Sequence, residues 1–218
     1  MTKNQQHLVP LRQTSHINRR VVQTIFRGID FAEATGRPLN NYAVIHLRES
    51  LAISAADIFT RIRHKFRDWL AYKRKTGQAL LPPLYAYSLE NPNDNPHVNW
   101  ILHVPPVLQQ EFAAKLPVWV ERVQGEVRRF DIELKPVKQN TVKRLAKYIV
   151  KGVDPAYAEH FYLTDLHEAQ GTVWGKRAGL SVSLGDAVRR EAGFKVGRRA
   201  TVRHGKPQND NAKDGKAA

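Results

Sequence analysis

The chain has 218 residues, enough for one sizeable domain with short appendages. It carries 35 Lys and Arg against 20 Asp and Glu, a formal net charge of +15, so its field attracts polyanions: nucleic acid first, an anionic membrane surface second. There is no cysteine, which excludes a disulfide framework and a thiolate zinc site.

Met1 to Gln13 is polar and lacks the apolar core of a signal peptide. No apolar run reaches the length of a membrane span. The expectation is a cytoplasmic protein with no membrane partner. From Ser15 to about Ala34 a helix is predicted, capped by Ser15, with Val22, Ile25, Phe26 and Ile29 at helical spacing and Arg19, Arg20 and Arg27 on its other side. Residues 1–39 thus read as a polar arm and a basic helix, set apart from a main domain over 40–195. Residues 196–218 are polar and basic and read as a disordered tail.

In the main domain Tyr42 to Leu47 reads as a strand. Ser54 and Asp57 open a long helix to about Lys75, with an apolar stripe from Ile58 to Leu70, and Gly77 stops it. Leu84 to Glu90 is a second strand. The turn formers Asn91 to Pro96 follow, so the next strand folds back as a hairpin. Val107 to about Val123 is helical, with Pro117 inside as a possible kink. Phe130 to Lys135 alternates as a strand. Asn140 or Thr141 then caps a helix through about Lys151. Asp154 to Gln170 is irregular. Gly171 to Leu180 is a basic, glycine-punctuated loop, and Leu184 to Glu191 a short helix.

The strand after the hairpin loop carries the chemistry. With a side-chain period of two, His97, Asn99 and His103 share one face, while Val98, Trp100, Leu102 and Val104 form a dry one. The hairpin brings Glu90 near His97 and Asn99. His103 lies six residues from His97, about 20 Å along a strand, and cannot share a metal ion with it. His46 on the first strand is an outside candidate. On the helix after Thr141, Tyr148 lies at the margin of the stripe Val142, Leu145, Ala146 and Ile149, beside Arg144 and Lys151. Taken alone, ordinary hydrogen-bonded histidines satisfy the strand pattern equally well, and a core-edge tyrosine satisfies the helix pattern better than a functional one.

Taken together, the pieces resemble the HUH-type single-strand DNA endonucleases, especially the rolling-circle replication initiators and their transposase relatives. His97 to His103 is similar to the extended His-x-His-x-x-Leu-His core strand of that family. Leu145-Ala146-Lys147-Tyr148-Ile149-Val150-Lys151-Gly152 is similar to its tyrosine helix, and Gln170 to Arg177 to the segment that follows. The likeness covers about residues 40 to 185. Asn99 departs from it, standing where the family has its second histidine.

The resemblance implies an α+β fold: a central antiparallel sheet of four to five strands, helices packed on one face and the active site on the other. It implies Tyr148 as nucleophile, helped by Lys151 and Arg144, and a 5′-phosphotyrosine link to single-stranded DNA with a free 3′-hydroxyl. Glu90, His97 and Asn99 are the expected metal ligands. With a carboxylate, an imidazole and an amide, Mg²⁺ or Mn²⁺ is the expected cofactor. Lys147, Lys176, Arg177 and Trp174 are the expected DNA contacts. The expected partners are single-stranded DNA, with a hairpin origin and host replication proteins as further candidates. Two alternatives stay open: a catalytically degenerate DNA-binding protein on the same fold, and an unrelated basic RNA-binding or regulatory domain.

Overall fold

A computed structural model describes residues 12–50, 52–79 and 81–195. The tail expected over 196–218 and most of the N-terminal arm lie outside the described residues. The fold is α+β, built on a five-stranded antiparallel sheet. Its strands are β2 (Asn41–His46), β3 (Tyr85–Glu90), β4 (His97–Leu102), β5 (Ile132–Pro136) and β7 (Ala178–Leu180), in the order β5-β2-β4-β3-β7. The strand with His97 and Asn99 is therefore the middle one. A two-stranded ribbon pairs β1 (Gln13–Thr14) with β6 (Val173–Trp174).

The dry face of β4 explains why the sheet folds where it does. Val98, Trp100 and Leu102 are buried and join Ala43, Ile45, Tyr87 and Leu89 from the neighbouring strands. Helices α2 (Ala55–Lys75) and α3 (Gln109–Gln124) close over them with the stripes the sequence predicts, Ile58, Ile62, Phe66 and Leu70 from one, joined by the unpredicted Phe59, and Phe112, Leu116 and Trp119 from the other. Trp100 sits at the hub, edge-on to Phe59, Phe66 and Phe112. Edge-to-face pairs of this kind contribute about 0.5–1.5 kcal/mol each beyond the area they bury. Pro117 stays inside a continuous α3, on its exposed side, where water can reach the Ala113 carbonyl that the missing N–H leaves unbonded.

The opposite face is only partly apolar. Ala86 and Ile101 pack there with helix α1 (Arg19–Ala34) and helix α4 (Val142–Ile149). Helix α1, set apart at residue 39 in the sequence reading, contributes Val22, Ile25, Phe26 and Ile29 to this second cluster. Its cap is Asn18, whose side chain accepts from the Val21 amide, and not Ser15. The reason is that Ile17 is held in an extended bridge to Val153, so the chain cannot turn helical before residue 19. Ser54 caps α2 as expected, accepting from the Asp57 amide. The segment 171–180, predicted as a loop, supplies β6 and β7 instead: β6 pairs with β1, and β7 adds to the edge that β3 presents.

Candidate active site

Strand register sets the site. Glu90 lies directly opposite His97 on one side and His46 opposite it on the other. Ser88 and Val44 flank Asn99 in the same way, and Tyr42 and Ala86 flank Ile101. Directly paired residues share a sheet face, so these side chains form three successive rows on one surface. The rings of His46 and His97 stand 5.5 Å apart.

Tyr148, Lys151, Glu90 and His97 form one chain of contacts. Lys151 Nζ lies 3.5 Å from the Tyr148 hydroxyl and 4.5 Å from the centre of its ring. The same ammonium is 3.4 Å from Glu90 Oε2 and 3.3 Å from Glu168 Oε2. Glu90 Oε2 is in turn 3.2 Å from His97 Nε2. Two of these elements meet because α4 ends on Ile149. Lys151 just beyond it reaches the sheet, while Tyr148, 39% exposed, stays at the open rim.

The electrostatics follow from burial and from Glu90, which is only 2% exposed. Burial pushes the His97 imidazole down, but the Glu90 hydrogen bond, the Asn95 carbonyl and the Glu90 charge outweigh it, and its pKa is raised overall. Lys151 follows the same logic: burial opposes its charge, and Glu90, Tyr148 and Glu168 restore and exceed it. His97 Nδ1 is 3.0 Å from the Asn95 carbonyl, which only accepts, so Nδ1 carries a proton. Nε2 is then either a second donor, to Glu90, or a lone pair available to a metal ion.

Asn99 is buried, and its Oδ1 accepts from the Tyr42 hydroxyl at 2.5 Å. Asn99 Nδ2, Ser88 Oγ and Glu90 Oε1 are buried with no hydrogen-bond partner in the described structure. A buried polar atom without a partner costs about 1–3 kcal/mol, so these three adjacent positions on one face are where a polar guest, water included, would be held. The Tyr42 hydroxyl can also accept, so an amide turned about its last bond would offer Oδ1 where Nδ2 now points. Glu90, His97 and, in that orientation, Asn99 are the donors that could hold a hard divalent cation. Among the described residues no group of three His, Asp or Glu side chains has metal-ligand geometry, so the amide is needed to complete the set.

A cleft of about 890 Å³ opens over these rows, lined by Tyr42, His97, Asn99, Glu133, Arg144 and Tyr148 among others. Arg144 is exposed on its wall. The structure thus brings together six predicted residues: Tyr148, Lys151, Arg144, Glu90, His97 and Asn99. Lys147 points elsewhere, its ammonium 3.4 Å from the Tyr162 carbonyl and 6.0 Å over that ring. Trp174 is exposed on the two-stranded ribbon and Lys176 is exposed beside it, neither lining the cleft.

Arg177 needs correction. It is 4% exposed, and its guanidinium donates to the carbonyls of Thr14, Gln170, Gly171 and Leu89. Burial lowers its pKa to about 10. It ties three chain segments together and presents nothing to DNA. Gly171 belongs to the same packing: its φ is +62°, and a Cβ there would collide with the Asn91 carbonyl, so only glycine fits this close backbone approach. His103 is tied by Nδ1 to the Pro38 carbonyl at 2.8 Å, and burial lowers its pKa.

Sequence reasoning missed Tyr42, Ser88 and Glu168. Tyr42 has a signal in hindsight, since it alternates with Val44 and His46 on one face of β2. Its burial and the nearby Tyr148, Glu90 and Glu133 raise its pKa well above the usual tyrosine range, so it stays a hydroxyl. Among the described residues no helix is long and apolar enough to cross a membrane. No protein-family model matches the chain, and no curated protein matches it significantly.

Proposed function

We propose that this chain nicks and rejoins single-stranded DNA through a covalent phosphotyrosine intermediate on Tyr148, as a replication initiator does. The observation that supports this reading most is the unbroken chain Tyr148–Lys151–Glu90–His97 at the rim of an open cleft. A hydroxyl nucleophile at an exposed rim, backed by a buried cation, is what attack on a phosphodiester needs.

In this reading a flexible strand enters the cleft with its backbone along Arg144. The Tyr148 oxygen bonds to phosphorus and gives its proton to water, and the bond from phosphorus to the 3′-oxygen breaks. The released 3′-oxygen takes up a proton and becomes a free hydroxyl. The Lys151 ammonium, 3.5 Å from the nucleophile, stabilises negative charge as it builds on the phosphate oxygens. Glu90 holds that ammonium in place, and Glu168 holds it from the solvent side. Rejoining is the same step reversed, with the 3′-hydroxyl attacking the phosphotyrosine. Glu90, His97 and Asn99 would hold Mg²⁺ or Mn²⁺, which supplies Lewis-acid polarisation of the phosphate when bound.

A second reading is a DNA-binding protein that has lost cutting. It is favoured by the departure at Asn99 and by Lys151, whose ammonium already neutralises the carboxylate a metal would use. The test is incubation with labelled single-stranded DNA pools and Mn²⁺ or Mg²⁺, followed by denaturing gels. The expected result is a protein–DNA adduct from the wild type that is absent in Tyr148→Phe and at least tenfold weaker in His97→Ala, since even an outer-shell partner of a metal costs about 10–100-fold when removed. DNA binding without an adduct, from wild type and Asn99→His alike, would leave only the binding reading.

A further inference from the structure

Lys151 has no donor to spare. An ammonium carries three N–H groups. Three oxygens already surround this one: Glu168 Oε2 at 3.3 Å, Glu90 Oε2 at 3.4 Å and the Tyr148 hydroxyl at 3.5 Å. A phosphate oxygen that reaches the ammonium must therefore take the place of one of them. The newcomer is itself an oxyanion, so the exchange that costs least is one negative oxygen for another.

Burial decides which oxygen gives way. Glu90 is almost wholly buried, and a carboxylate left there without its ammonium costs far more than an exposed ion pair is worth. Tyr148 stays, because its oxygen is the one that attacks beside that ammonium. The Glu168 side chain is 68% exposed, so water solvates its carboxylate as it leaves. The departure is also local. Gln170, itself buried, donates from Nε2 to the Glu168 carbonyl at 3.0 Å and to Glu168 Oε2 at 3.2 Å. The Glu168 backbone is thus held while the carboxylate turns away. Leu166, two residues earlier, lines the cleft, so the segment that carries Glu168 forms part of its wall.

We infer that Glu168 Oε2 occupies the subsite of a non-bridging phosphate oxygen on Lys151, and that Glu168 yields this place when a phosphodiester enters the cleft. The chain carries its own anionic stand-in for the substrate. In the free protein Glu168 keeps the ammonium neutralised and beside the Tyr148 hydroxyl. Every strand that binds must displace it, so this one exposed carboxylate sets part of the affinity of the cleft. The position of the nucleophile beside the subsite rests on the nicking reading above, whereas displacement of Glu168 by a phosphate does not.

The experiment follows labelled oligo-dT by fluorescence anisotropy at low salt, with EDTA present so that no divalent ion takes part. Glu168→Gln removes the competing charge and keeps the side-chain shape. It is expected to bind about three- to fivefold more tightly than wild type, the range an exposed ion pair covers. Glu191→Gln makes the same change in net charge on the short helix α5 (Asp186–Glu191), outside the cleft lining, and should alter affinity less than about 1.5-fold. In a Lys151→Met background Glu168→Gln should gain less than about 1.5-fold, because no ammonium is left to compete for. Thermal melts check folding; if Lys151→Met does not melt cooperatively, the comparison of Glu168→Gln with Glu191→Gln decides alone. No gain in Glu168→Gln overturns the inference. So does an equal gain in Glu191→Gln, or a gain that survives the loss of Lys151, since general charge repulsion then explains it. Adduct formation supplies the second readout: Glu168→Gln should reach half-saturation at lower DNA concentration, with a saturating rate within about threefold of wild type. A saturating rate that falls tenfold or more at unchanged half-saturation overturns the inference, because Glu168 then orients Lys151 for the reaction. If the wild type forms no adduct on any pool, the nicking reading fails while the anisotropy still decides the subsite.

Discussion

At the scale of single residues, Glu90 organises the site. It is buried between a lysine and a histidine, and its second oxygen has no hydrogen-bond partner among the described residues. A lone carboxylate in that position would be costly, and the two cationic neighbours offset the cost. The consequence for His97 is measurable in metal-free protein. Burial is the largest influence on this imidazole and lowers its pKa; the Glu90 hydrogen bond and charge reverse the sign. In wild type, His97 should therefore titrate above the ordinary 6.5, and in Glu90→Gln burial should prevail and bring it below that value. Proton NMR titration of the histidine resonances reads this directly. Equal titration midpoints in the two proteins would mean that Glu90 does not control His97. The same logic gives a stability sign. A raised imidazole pKa stabilises the fold fully below the unfolded value of about 6.5, and that contribution is lost as pH rises through the folded value.

At the scale of elements, the sequence made the frame legible and left its cross-links hidden. Alternation located β2, β3, β4 and β5, and the apolar stripes located α2, α3 and α4, because each element buries one face and the period of burial is written into its own residues. Glu90, His97, Asn99 and Tyr148 could be nominated for the same reason, since each sits on the polar face or margin of a readable element. The register between strands is not written locally, so the Tyr42–Asn99 contact could not be read. Arg177 was misread because composition cannot tell a guanidinium that collects buried carbonyls from one that faces solvent. The junction of α2 and α3 offers a test of one such cross-link. Glu111 on α3 is 2.6 Å from Lys73 Nζ and 2.9 Å from Trp69 Nε1, both on α2. The Lys73 hydrogen bond and then the Trp69 hydrogen bond hold its carboxyl below the ordinary 4.5. A depressed carboxylate contributes stability that is present above 4.5 and is lost as pH falls through the folded value. Urea unfolding of Glu111→Gln should show a deficit relative to wild type at neutral pH that closes on acidification below 4.5. A deficit that persists unchanged in acid would assign the loss to packing instead.

At the scale of the whole molecule, charge governs two responses with opposite signs. The chain carries +15, so like charges repel across the folded surface and destabilise the compact state. The same field attracts polyanions, and Arg144 stands exposed on the cleft wall. Raising salt from about 10 mM to about 150 mM shortens the Debye length from roughly 30 Å to about 8 Å. Long-range repulsion between surface cations is then largely screened. Ion pairs weaken in the same step, but the exposed ones, such as Arg67–Asp68, are each worth only about 0–1 kcal/mol, and the buried Lys151–Glu90 pair is screened far less. Relief of repulsion therefore outweighs loss of pairing, and Tm should rise by a few degrees over that interval. Nucleic-acid affinity should fall steeply over the same interval, because each phosphate contact releases counterions from the nucleic acid. Differential scanning fluorimetry and anisotropy on one salt series measure both. A Tm that falls with salt would show that paired charges dominate the surface.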